Sequence, residues 1–529
     1  MAGTARVRGK RLMHEINTSN NASESPARER RGFNAAAAGV VVALALIFAA
    51  ASFYAARLYA ACDDTYIYLV YVKNLFGGNG LTFNGMKVQG FTSVLWITLI
   101  AAGRLLTEAL PTVPDRLSMA SGVFVMVMAY RVGRRLGLSR ARALITPALL
   151  AGTGDFAFYM GNGLETVFFA GMVLLSLRLV YADAPNRALR SFGLPLVLAL
   201  TIFARPEGVL VAAVVIAFLA WQSETASLGR CLLWMVILIA PVTLATRVYY
   251  GSFLPNTYYA KAGAGFANAG QGLLYLMHFM KAKVFIVLAF IYLAAHKRAV
   301  MGRRATPLFV LVIVYVVHIT IQGGDNLVGH RAFLPVLPVM YLTVTLGFRR
   351  LHGLAAGLAL LFVTTFHVAN YNYGTIIGGS FQLPVREQID LWRSGFTRRH
   401  ATGLYLKENY PPGTVVALNA AGIIPYFSEM PTLDMLGLNN KYIARRGRRD
   451  RTLAYGHQVG DGHYIVRQQP DVILFGGLGR AKKAYFISDR EIWRSSEFRR
   501  FYRPREFPEN VRPYVRDPEA VKKFGSPGR

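Results

Sequence analysis

Two adjacent carboxylates, Asp63 and Asp64, stand directly after the first long apolar segment of the chain. Acidic side chains are costly to keep close to hydrocarbon, so acids at the mouth of a membrane segment usually mark a functional site. Carboxylates placed in this way are suited to general acid–base chemistry. One of them could instead cap the helix that is predicted to begin at Thr65, because Asp is a favoured N-cap residue. A cap needs only one Asp, and the pair therefore favours a functional role.

Other polar side chains form a second set of candidates, each predicted to lie at the outer end of an apolar segment. They are Glu165, Arg205 with Glu207, the run NTYYAK with Asn256, Tyr258, Tyr259 and Lys261, and Asp325 with His330 and Arg331. Cations beside acids in such loops favour phosphate binding, and Arg is the side chain best matched to phosphate geometry. The set predicts one polar site built from several distant segments.

Each of these candidates also has a purely structural explanation. Arg205 could form a salt bridge with Glu207 at a helix break, and Arg331 could simply pair with Asp325. Glu165 could cap a helix, and the NTYYAK run could be an interfacial aromatic belt whose lysine reaches the membrane surface. Both kinds of explanation stay open at the level of sequence.

Metal chemistry has weaker support in the sequence. His457, Asp461 and His463 could ligate a metal ion, but polar residues on a protein surface explain them more simply. The only cysteines are Cys62 and Cys231, which form neither a CxxC metal pattern nor a disulfide framework.

The composition indicates a membrane protein. Of the 529 residues, 53% are hydrophobic and only 16% are charged, whereas soluble globular chains carry about 25% charged residues. The mean hydropathy is +0.34. A net charge of +31 would suggest nucleic acid in a soluble protein. Here the basic residues lie between apolar segments, where the positive-inside rule accounts for them. Membrane lipids are therefore expected as partners, and nucleic acid is not.

The order of apolar segments and basic gaps predicts about 11 transmembrane helices within residues 33–371. The Arg-rich residues 1–32 predict a disordered cytoplasmic tail, so the first span begins inside and ends outside. The apolar run 91–106 is interpreted as a juxtamembrane or re-entrant helix, because a crossing there would place the basic gap 131–142 outside. One span is predicted over about residues 143–158.

Residues 372–529 mix charge, proline and aromatic residues, as a soluble domain does. Short apolar, β-rich runs at 414–418 and 471–475, with helix-like stretches before and between them, predict a small α/β domain. No regular structure is predicted from about Arg503 onward. An odd number of spans places this domain outside the cytoplasm. The predicted fold is thus a polytopic α-helical membrane protein with a C-terminal extracytoplasmic α/β domain.

The predicted topology sorts the candidate residues to one side of the membrane. The acidic and mixed polar groups all fall on the outer side, whereas the inner loops hold mainly Arg. The predicted topology depends on the basic residues alone, so the position of the acidic residues is a separate indication of an extracytoplasmic site.

The motifs of the first loop resemble those of a known family. The loop reads DDTYI from Asp63, then YVKNL, GNGL, FN and finally GFTSVLW up to Trp96. Further motifs follow in order: GLET at 163–166, RPEG at 205–208, LPNTYYAK at 254–261, GGD at 323–325 with HR at 330–331, AGIIPYFS at 421–428, DMLGL at 434–438, and GH and GDGH within 456–463. Together they resemble the GT-C glycosyltransferases and, within these, the bacterial terminal arabinofuranosyltransferase family.

This resemblance implies a GT-C-like membrane enzyme that moves a sugar with inversion from a polyprenyl-phosphate donor. The sugar implied is D-arabinofuranose, and the acceptor is a glycan or glycoprotein outside the cytoplasm. The implied location is the bacterial plasma (inner) membrane, with the N-terminus in the cytoplasm and the C-terminal domain on the periplasmic side.

The resemblance also implies roles for the candidate residues. Asp63 or Asp64 would be the base that takes the acceptor proton, while the other orients the acceptor or a divalent cation. Lys261, His330 and Arg331 would hold the donor phosphate. The remaining residues would shape the pocket or contact the sugar: Glu165, Arg205, Glu207, Asn256, Tyr258, Tyr259 and Asp325. Apart from that cation, no cofactor is expected.

One departure from the family pattern and two alternatives remain. Relatives often carry Glu where Gln89 stands, and an amide can be neither a base nor an anionic ligand, so Gln89 receives neither role. The same scaffold could use a polyprenyl-phospho-hexose donor of the mannosyl type, because the sequence does not separate furanose from pyranose. The chain could also be a non-enzymatic lipid or glycan transporter, although transporters often show repeated halves and this sequence shows no internal repeat.

Overall fold

The computed structural model describes residues 36–181, 189–222, 225–261, 265–296, 305–347, 353–373, 385–477 and 484–524. The cytoplasmic tail predicted for residues 1–32 lies outside this part of the chain. The described residues up to Tyr373 are mainly helical, and a small mixed sheet with helices follows.

The membrane part is a bundle of apolar helices. The unbroken ones are Ala36–Leu58, Thr112–Arg135, Thr166–Val180, Leu194–Ala204, Gly208–Trp221, Thr225–Tyr250, Thr306–Gln322, Leu337–Gly347 and Gly353–Tyr373. Most are apolar on all sides, as expected of helices that pack among other helices or face lipid. Within the described ranges, two helices are long and apolar enough to cross a bilayer alone, or up to four if each of two bent pairs is one span. The count of about 11 spans stays a prediction.

Two pairs of helices are sharply bent. They are Arg140–Ala151 with Gly154–Gly161, at 72°, and Phe266–Ala282 with Val284–Ala295, at 100°. The first bend falls within residues 143–158, which the sequence predicts as one span. Gly152 and Thr153 interrupt the helix there, and the Thr153 hydroxyl donates back to the Leu149 carbonyl at 2.7 Å. Such breaks are tolerated at membrane depth where protein surrounds them.

Short helices carry several of the candidate residues. They are Asp63–Phe76, Val94–Arg104 and Asn256–Lys261, with single 3-10 turns at Gly265–Asn268 and Arg331–Phe333 and a π-helical turn at Leu189–Gly193. The first begins at Asp63 rather than at Thr65, and Cys62 holds its N-cap position without a side-chain bond. Neither aspartate therefore caps its own helix, so the capping explanation of this pair is wrong.

Close packing in the bundle fixes the loop that leads to Arg331. Gly272 lies directly against the helix Thr306–Gln322, and an ideal Cβ on it would come within 1.9 Å of the Thr320 carbonyl oxygen. In the same way, a Cβ on Gly324 would come within 2.6 Å of the Tyr275 ring. Glycine is required at both places because the approach leaves no room for a side chain.

The described residues of the C-terminal part form seven short strands. They are β1 (Val416–Leu418), β2 (Thr432–Asp434), β3 (Arg448–Arg449), β4 (Val459–Gly460), β5 (Val472–Leu474), β6 (Tyr502–Pro504) and β7 (Tyr514–Arg516). Five of them form a mixed sheet in the order β2-β1-β5-β7-β6, in which β1 is parallel to β2 and β5, while β7 is antiparallel to β5 and β6. The predicted α/β domain is therefore confirmed, with β1 and β5 in the runs 414–418 and 471–475.

Helices surround this sheet, and their sequences carry the local signals expected of them. They are Val385–Asn409, Ile423–Ser428, Lys441–Arg446, Gly462–Arg467, Ile487–Arg494, Ser496–Phe501 and Pro518–Phe524, with a 3-10 turn at Pro508–Asn510. Asn440 and Asp461, for example, cap the helices that follow them by accepting backbone N–H bonds.

The prediction that regular structure stops near Arg503 is wrong. Strands β6 and β7 and a final helix form there, and the Tyr502 hydroxyl donates to the Pro470 carbonyl at 2.7 Å. The pairing of β7 with β5 stabilises these strands, and such long-range partners leave no local pattern in the sequence.

The two parts meet at a surface that we call the domain junction. Gly90 of the first loop lies so close to Asn439 that an ideal Cβ would be 1.8 Å from the Asn439 Oδ1 atom. The Gly90 N–H donates to the Tyr71 hydroxyl at 2.9 Å, and this hydroxyl lies 3.0 Å from the same Oδ1 atom. Asp434 orders the opposing loop by accepting the N–H groups of Leu436 and Asn439 at 2.9 and 2.7 Å.

Candidate active site

Asp63 belongs to the domain junction. Its two carboxylate oxygens accept the backbone N–H groups of Gly422 and Ile423 at 3.1 and 3.0 Å, and the Arg399 Nε atom lies 4.0 Å away. Burial raises the pKa of the Asp63 carboxyl, although Arg399 and these two N–H groups act in the opposite direction. Asp63 is thus held by the soluble domain.

Asp64 has different surroundings, because consecutive helical residues point about 100° apart. Its half-buried carboxylate accepts no hydrogen bond from any described residue. It acts electrostatically on the Cys62 thiol together with Arg331, and on the His457 ring together with Lys261. Asp64 is therefore the carboxylate of the pair that has no hydrogen bond to a described residue, and its charge reaches groups that the charges of Arg331 and Lys261 also reach. We call the polar region that these side chains share the cavity.

Arg331 and Asp325 form a bidentate ion pair in this cavity. The Arg331 Nε atom bonds one carboxylate oxygen at 2.5 Å, and Nη2 donates to the other at 3.1 Å. The two side chains are only 11% and 7% exposed. Gly323 and Gly324, both at positive φ, turn the chain sharply after the preceding helix and so bring Asp325 back towards Arg331.

The charges around Asp325 show that several candidates share one environment. Burial raises the pKa of the Asp325 carboxyl, but the charge and hydrogen bond of Arg331 and the charges of Lys261 and Arg205 together outweigh this effect. The net pKa lies below the usual value, so Asp325 is ionised at neutral pH. Lys261 and Arg205 must therefore lie close enough to Asp325 for their fields to act on it.

Arg205 joins two carboxylates beside this pair. Its guanidinium bonds Glu207 in a bidentate manner at 3.0 and 3.3 Å and also pairs with Glu165. The Tyr68 hydroxyl lies 3.5 Å from the second oxygen of Glu165. The salt bridge considered from the sequence is present, and it includes a third residue. These buried charges satisfy one another and form one wall of the cavity.

The helix Asn256–Lys261 divides its side chains between the junction and the cavity. The Asn256 amide donates to the carbonyls of Gly437 and Leu438 at 2.8 and 3.0 Å. The Arg445 guanidinium stacks over the Tyr259 ring at 4.5 Å. These candidates therefore hold the soluble domain in place.

The other two candidates on this helix have fewer contacts. Tyr258 is 50% exposed and packs edge-on against Tyr259. Lys261, at the end of the helix, makes no ion pair or hydrogen bond with a described residue, and its charge acts on Asp325 and His457. Lys261 is thus a cation available to a ligand.

His330 does not face the cavity with Arg331. Its backbone N–H donates to Asp155 at 3.2 Å, and its Nδ1 atom lies 3.8 Å from the same carboxylate. The ring packs between Tyr275 and Phe279, and its Nε2 atom is buried without a partner. The Asp155 carboxylate also pairs with Lys283 at 3.2 Å. His330 thus belongs to a buried charged cluster.

The soluble domain contributes a segment that the sequence did not assign to the site. The Asn326 amide nitrogen lies 2.9 Å from the His457 Nε2 atom. A Cβ on Gly456 would lie 3.6 and 3.7 Å from side-chain atoms of Asn326 and Lys261. Tyr455 packs against the Gly323 turn. The segment therefore covers the cavity from the side of the soluble domain.

His457 is neutral in this position. Burial and, to a smaller extent, the charge of the nearby Lys261 lower its pKa to about 4, against the opposing charges of Asp64 and Asp325. A neutral imidazole can donate one hydrogen bond and accept another, so His457 can contact a polar ligand without adding charge.

The residues that the sequence missed fall into two kinds. Asp155 and Lys283 stand within or next to apolar runs, and a charge in such a run is itself a signal of function. Asn326 and Tyr455 carry no such signal, because they come together only through the contact between the two domains. The sequence singled out the neighbouring His457, but only as a possible metal ligand and as part of a family motif.

No metal site emerges from the described parts of the chain, which contain no group of three or more His, Cys, Asp or Glu side chains able to hold an ion. Asp461 accepts the backbone N–H of Tyr464 at 2.8 Å as a helix cap, and His463 is exposed. These residues therefore follow the simpler of their two explanations.

The arrangement as a whole pairs a free acid with available cations. Asp64 can accept a proton, while Lys261 and the remaining N–H groups of Arg331 can bind an anion nearby. His457 and the Arg205 cluster enclose this space. Such a cavity suits a displacement in which an anionic group departs as a hydroxyl loses its proton.

Comparison with known proteins shows what this chain is similar to. Residues 387–518 match a family model described as a domain of unknown function, DUF8728. The chain is 28% identical over 241 residues to a terminal beta-(1->2)-arabinofuranosyltransferase of Mycobacterium tuberculosis. The matched stretch spans 41% of this chain and 37% of that relative's length.

The solved structures extend the likeness to nearly the whole chain. ArnT from Cupriavidus metallidurans bound to undecaprenyl phosphate superposes with a TM-score of 0.58 at 14% identity, over 93% of this chain and 99% of that chain. The apo state of the same protein gives a TM-score of 0.54 at 13% identity, over 76% of this chain and 86% of that chain. The resemblance stated from the motifs is thus confirmed at the level of the fold, and this chain has the GT-C glycosyltransferase fold.

Proposed function

We propose that this protein is an inverting membrane glycosyltransferase that uses a polyprenyl-phosphate sugar donor. The observation that carries the proposal is the Asp64 carboxylate, which has no hydrogen bond to a described residue and whose charge acts on Cys62 together with Arg331 and on His457 together with Lys261. The named relative is a glycosyltransferase, and the neighbour of similar fold holds undecaprenyl phosphate.

The two aspartates take separate roles in this mechanism. Asp64 is the base: as the acceptor hydroxyl attacks the anomeric carbon, its proton passes to the Asp64 carboxylate. Asp63 docks the soluble domain, because both of its oxygens already accept backbone N–H groups. The bond between the anomeric carbon and the donor phosphate breaks on the opposite face, which inverts the configuration.

The departing lipid phosphate is held by Arg331 and Lys261. Arg331 uses Nε and Nη2 for Asp325 and keeps Nη1 for the phosphate. Lys261 has no competing partner among the described residues. Because these donors are in place before the reaction, they stabilise the charge that develops on the leaving phosphate. His330 faces Asp155 and takes no direct part.

The remaining candidates form the walls of the pocket. Glu165, Arg205 and Glu207 fix one side through their mutual ion pairs. Asn256 and Tyr259 fix the soluble domain on the other side.

The sugar we propose is D-arabinofuranose, transferred to an extracytoplasmic glycan or glycoprotein. Support comes from the name of the relative that matches over 241 residues. The free acid and the cations would serve a hexose donor equally well, so a mannosyl-type donor is the alternative for the same mechanism. We place the site on the outer side of a bacterial plasma membrane, with about 11 spans and the N-terminus in the cytoplasm.

A donor panel tests this proposal. Membranes that contain the protein are incubated with radiolabelled polyprenyl-phospho-arabinose or polyprenyl-phospho-mannose and with an envelope glycan fraction as acceptor. We expect transfer from the arabinose donor, with the anomeric configuration of the product opposite to that of the donor. Transfer from the mannose donor alone would show that the sugar is mannose and not arabinose. A product with retained anomeric configuration would overturn the inverting mechanism.

A further inference from the structure

Two buried charges meet at the bends of the membrane bundle. Asp155 stands just after the 72° bend and Lys283 stands at the 100° bend, and their side chains pair at 3.2 Å while each is only 2% exposed. Burying two charges is expensive, and replacing such a pair with apolar residues is often neutral or stabilising. Stability alone therefore does not explain why the chain carries them.

The cluster is connected to Arg331 through the backbone. Asp155 uses one carboxylate oxygen for Lys283 and accepts the backbone N–H of His330 with the other, at 3.2 Å. His330 immediately precedes Arg331 in the sequence. The Asp155–Lys283 pair holds the His330 backbone and therefore also positions the backbone of the neighbouring Arg331.

Two tyrosines hold the same turn from other sides. The Tyr159 hydroxyl donates to the Val328 carbonyl at 2.7 Å. The Ala332 N–H donates to the Tyr275 hydroxyl at 3.2 Å. Each end of the turn 328–332 is thus fixed by the bundle, and Asp155 fixes its centre.

We propose that Asp155 and Lys283 are positioning residues that direct the free Nη1 atom of Arg331 towards the donor phosphate. The inference rests on the proposed function, since it takes Arg331 as the phosphate ligand. Asp325 fixes the plane of the guanidinium, and the Asp155–Lys283 pair fixes the backbone from which it extends. An error of about 1 Å in the placement of a binding group is enough to weaken its interaction with the ligand greatly.

Binding of two lipids to the purified full-length protein tests the inference. The probes are undecaprenyl phosphate and undecaprenol, which differ only in the phosphate. We expect Lys283→Met to weaken binding of undecaprenyl phosphate at least tenfold and to leave binding of undecaprenol within twofold of wild type. Lys283→Arg, which keeps the charge, should recover most of the loss. Arg331→Gln should show the same defect as Lys283→Met.

A double variant separates positioning from an independent effect. Because Lys283 acts through Arg331, Lys283→Met combined with Arg331→Gln should bind undecaprenyl phosphate no more weakly than Arg331→Gln alone. The matched control is Thr345→Val, which removes a buried contact to Thr146 in the same bundle. It should leave the affinity for both lipids unchanged.

Each other outcome overturns the inference. Wild-type affinity for undecaprenyl phosphate in Lys283→Met, equal losses for both lipids, or additive effects in the double variant would each reduce the cluster to a structural role. If Lys283→Met does not fold, Asp155→Asn with Lys283→Met removes both charges together and should still lose phosphate binding selectively. Unchanged binding in Arg331→Gln would refute the phosphate assignment of the proposed function as well.

Discussion

The domain junction and the cavity adjoin at the start of the helix Asp63–Phe76. Polar side chains of the same type have different hydrogen-bond partners in these two regions. At the junction, each Asp63 oxygen accepts one backbone N–H group, from Gly422 and Ile423. In the cavity, Asp64 and Lys261 have no hydrogen-bond partner among the described residues. The junction therefore holds the molecule together, while the cavity keeps its polar groups available.

This difference shows that residue type and local sequence do not decide between structural and chemical roles. Asp63 and Asp64 are neighbours in one motif, but a rotation of about 100° sends them to different surroundings. A carboxylate with both oxygens bonded to backbone N–H groups is held in place by them, whereas one without such bonds is available to a ligand. The following predictions test this division, beginning with the largest expected effect.

Asp64→Asn should lower the turnover number by about 10²–10⁴-fold, the usual contribution of a general base, without lowering the melting temperature. Asp63→Asn is the matched control one residue away. It should lower the melting temperature and affect turnover less, because it weakens docking. Transfer assays in membranes, together with thermal unfolding of the purified variants, measure both quantities. A larger loss of turnover in Asp63→Asn would reverse the assignment of roles.

Gly422→Ala should loosen the junction, because its Cβ would lie 1.9 Å from the Asp63 carbonyl oxygen. Forcing a side chain into such a contact costs about 1–3 kcal/mol. Limited proteolysis should then cleave the soluble domain faster than in wild type. Gly270→Ala is the control, since a Cβ there meets nothing within 4 Å. Equal cleavage rates in the two variants would contradict the contact.

His457 should make the stability of the protein depend on pH. Its pKa is about 4 in the folded chain, against about 6.5 when unfolded, so the unfolded chain binds the extra proton as the pH falls below 6.5. Wild type should therefore lose about 2 kcal/mol relative to His457→Gln between pH 7 and pH 5. Unfolding of both proteins at the two pH values measures the difference. If the difference in unfolding free energy between the two proteins is the same at pH 7 and pH 5, the His457 ring is not held neutral.

Lys261→Gln should weaken binding of the lipid phosphate by about tenfold and leave the melting temperature unchanged, because no described residue loses an ion pair. Lys407→Gln is the control, since Lys407 forms a surface pair with Glu429 far along the chain. Affinity for undecaprenyl phosphate is the measurement. A fall in melting temperature without a change in affinity for undecaprenyl phosphate would show that Lys261 stabilises the domain junction instead of binding the phosphate.

Much of the fold could be predicted from the sequence, because apolar runs and strand patterns are local signals. The α/β domain and strands β1 and β5 were found in this way. The bend at Gly152 was missed, since an apolar run does not reveal where a helix breaks. The hairpin of β6 and β7 was missed because it depends on pairing with a distant strand.

The candidate site was predicted less completely, for the same physical reason. Asp325 with Arg331 and Arg205 with Glu207 are close in sequence, so their pairing could be foreseen. The place of His330 beside Asp155 depends on how separate helices pack. Similarly, the roles of Asp63 and Asp64 differ because of partners that the sequence places hundreds of residues away.

The contact between Asp63 and Gly422 joins residues separated by 359 positions. During synthesis, the membrane helices emerge long before their partner, so the helix that carries both aspartates has no docking surface at that stage. The cavity is complete only after the C-terminal part has been synthesised and folded. A chain released early could contain the membrane helices and still lack the residues around His457 that cover the cavity.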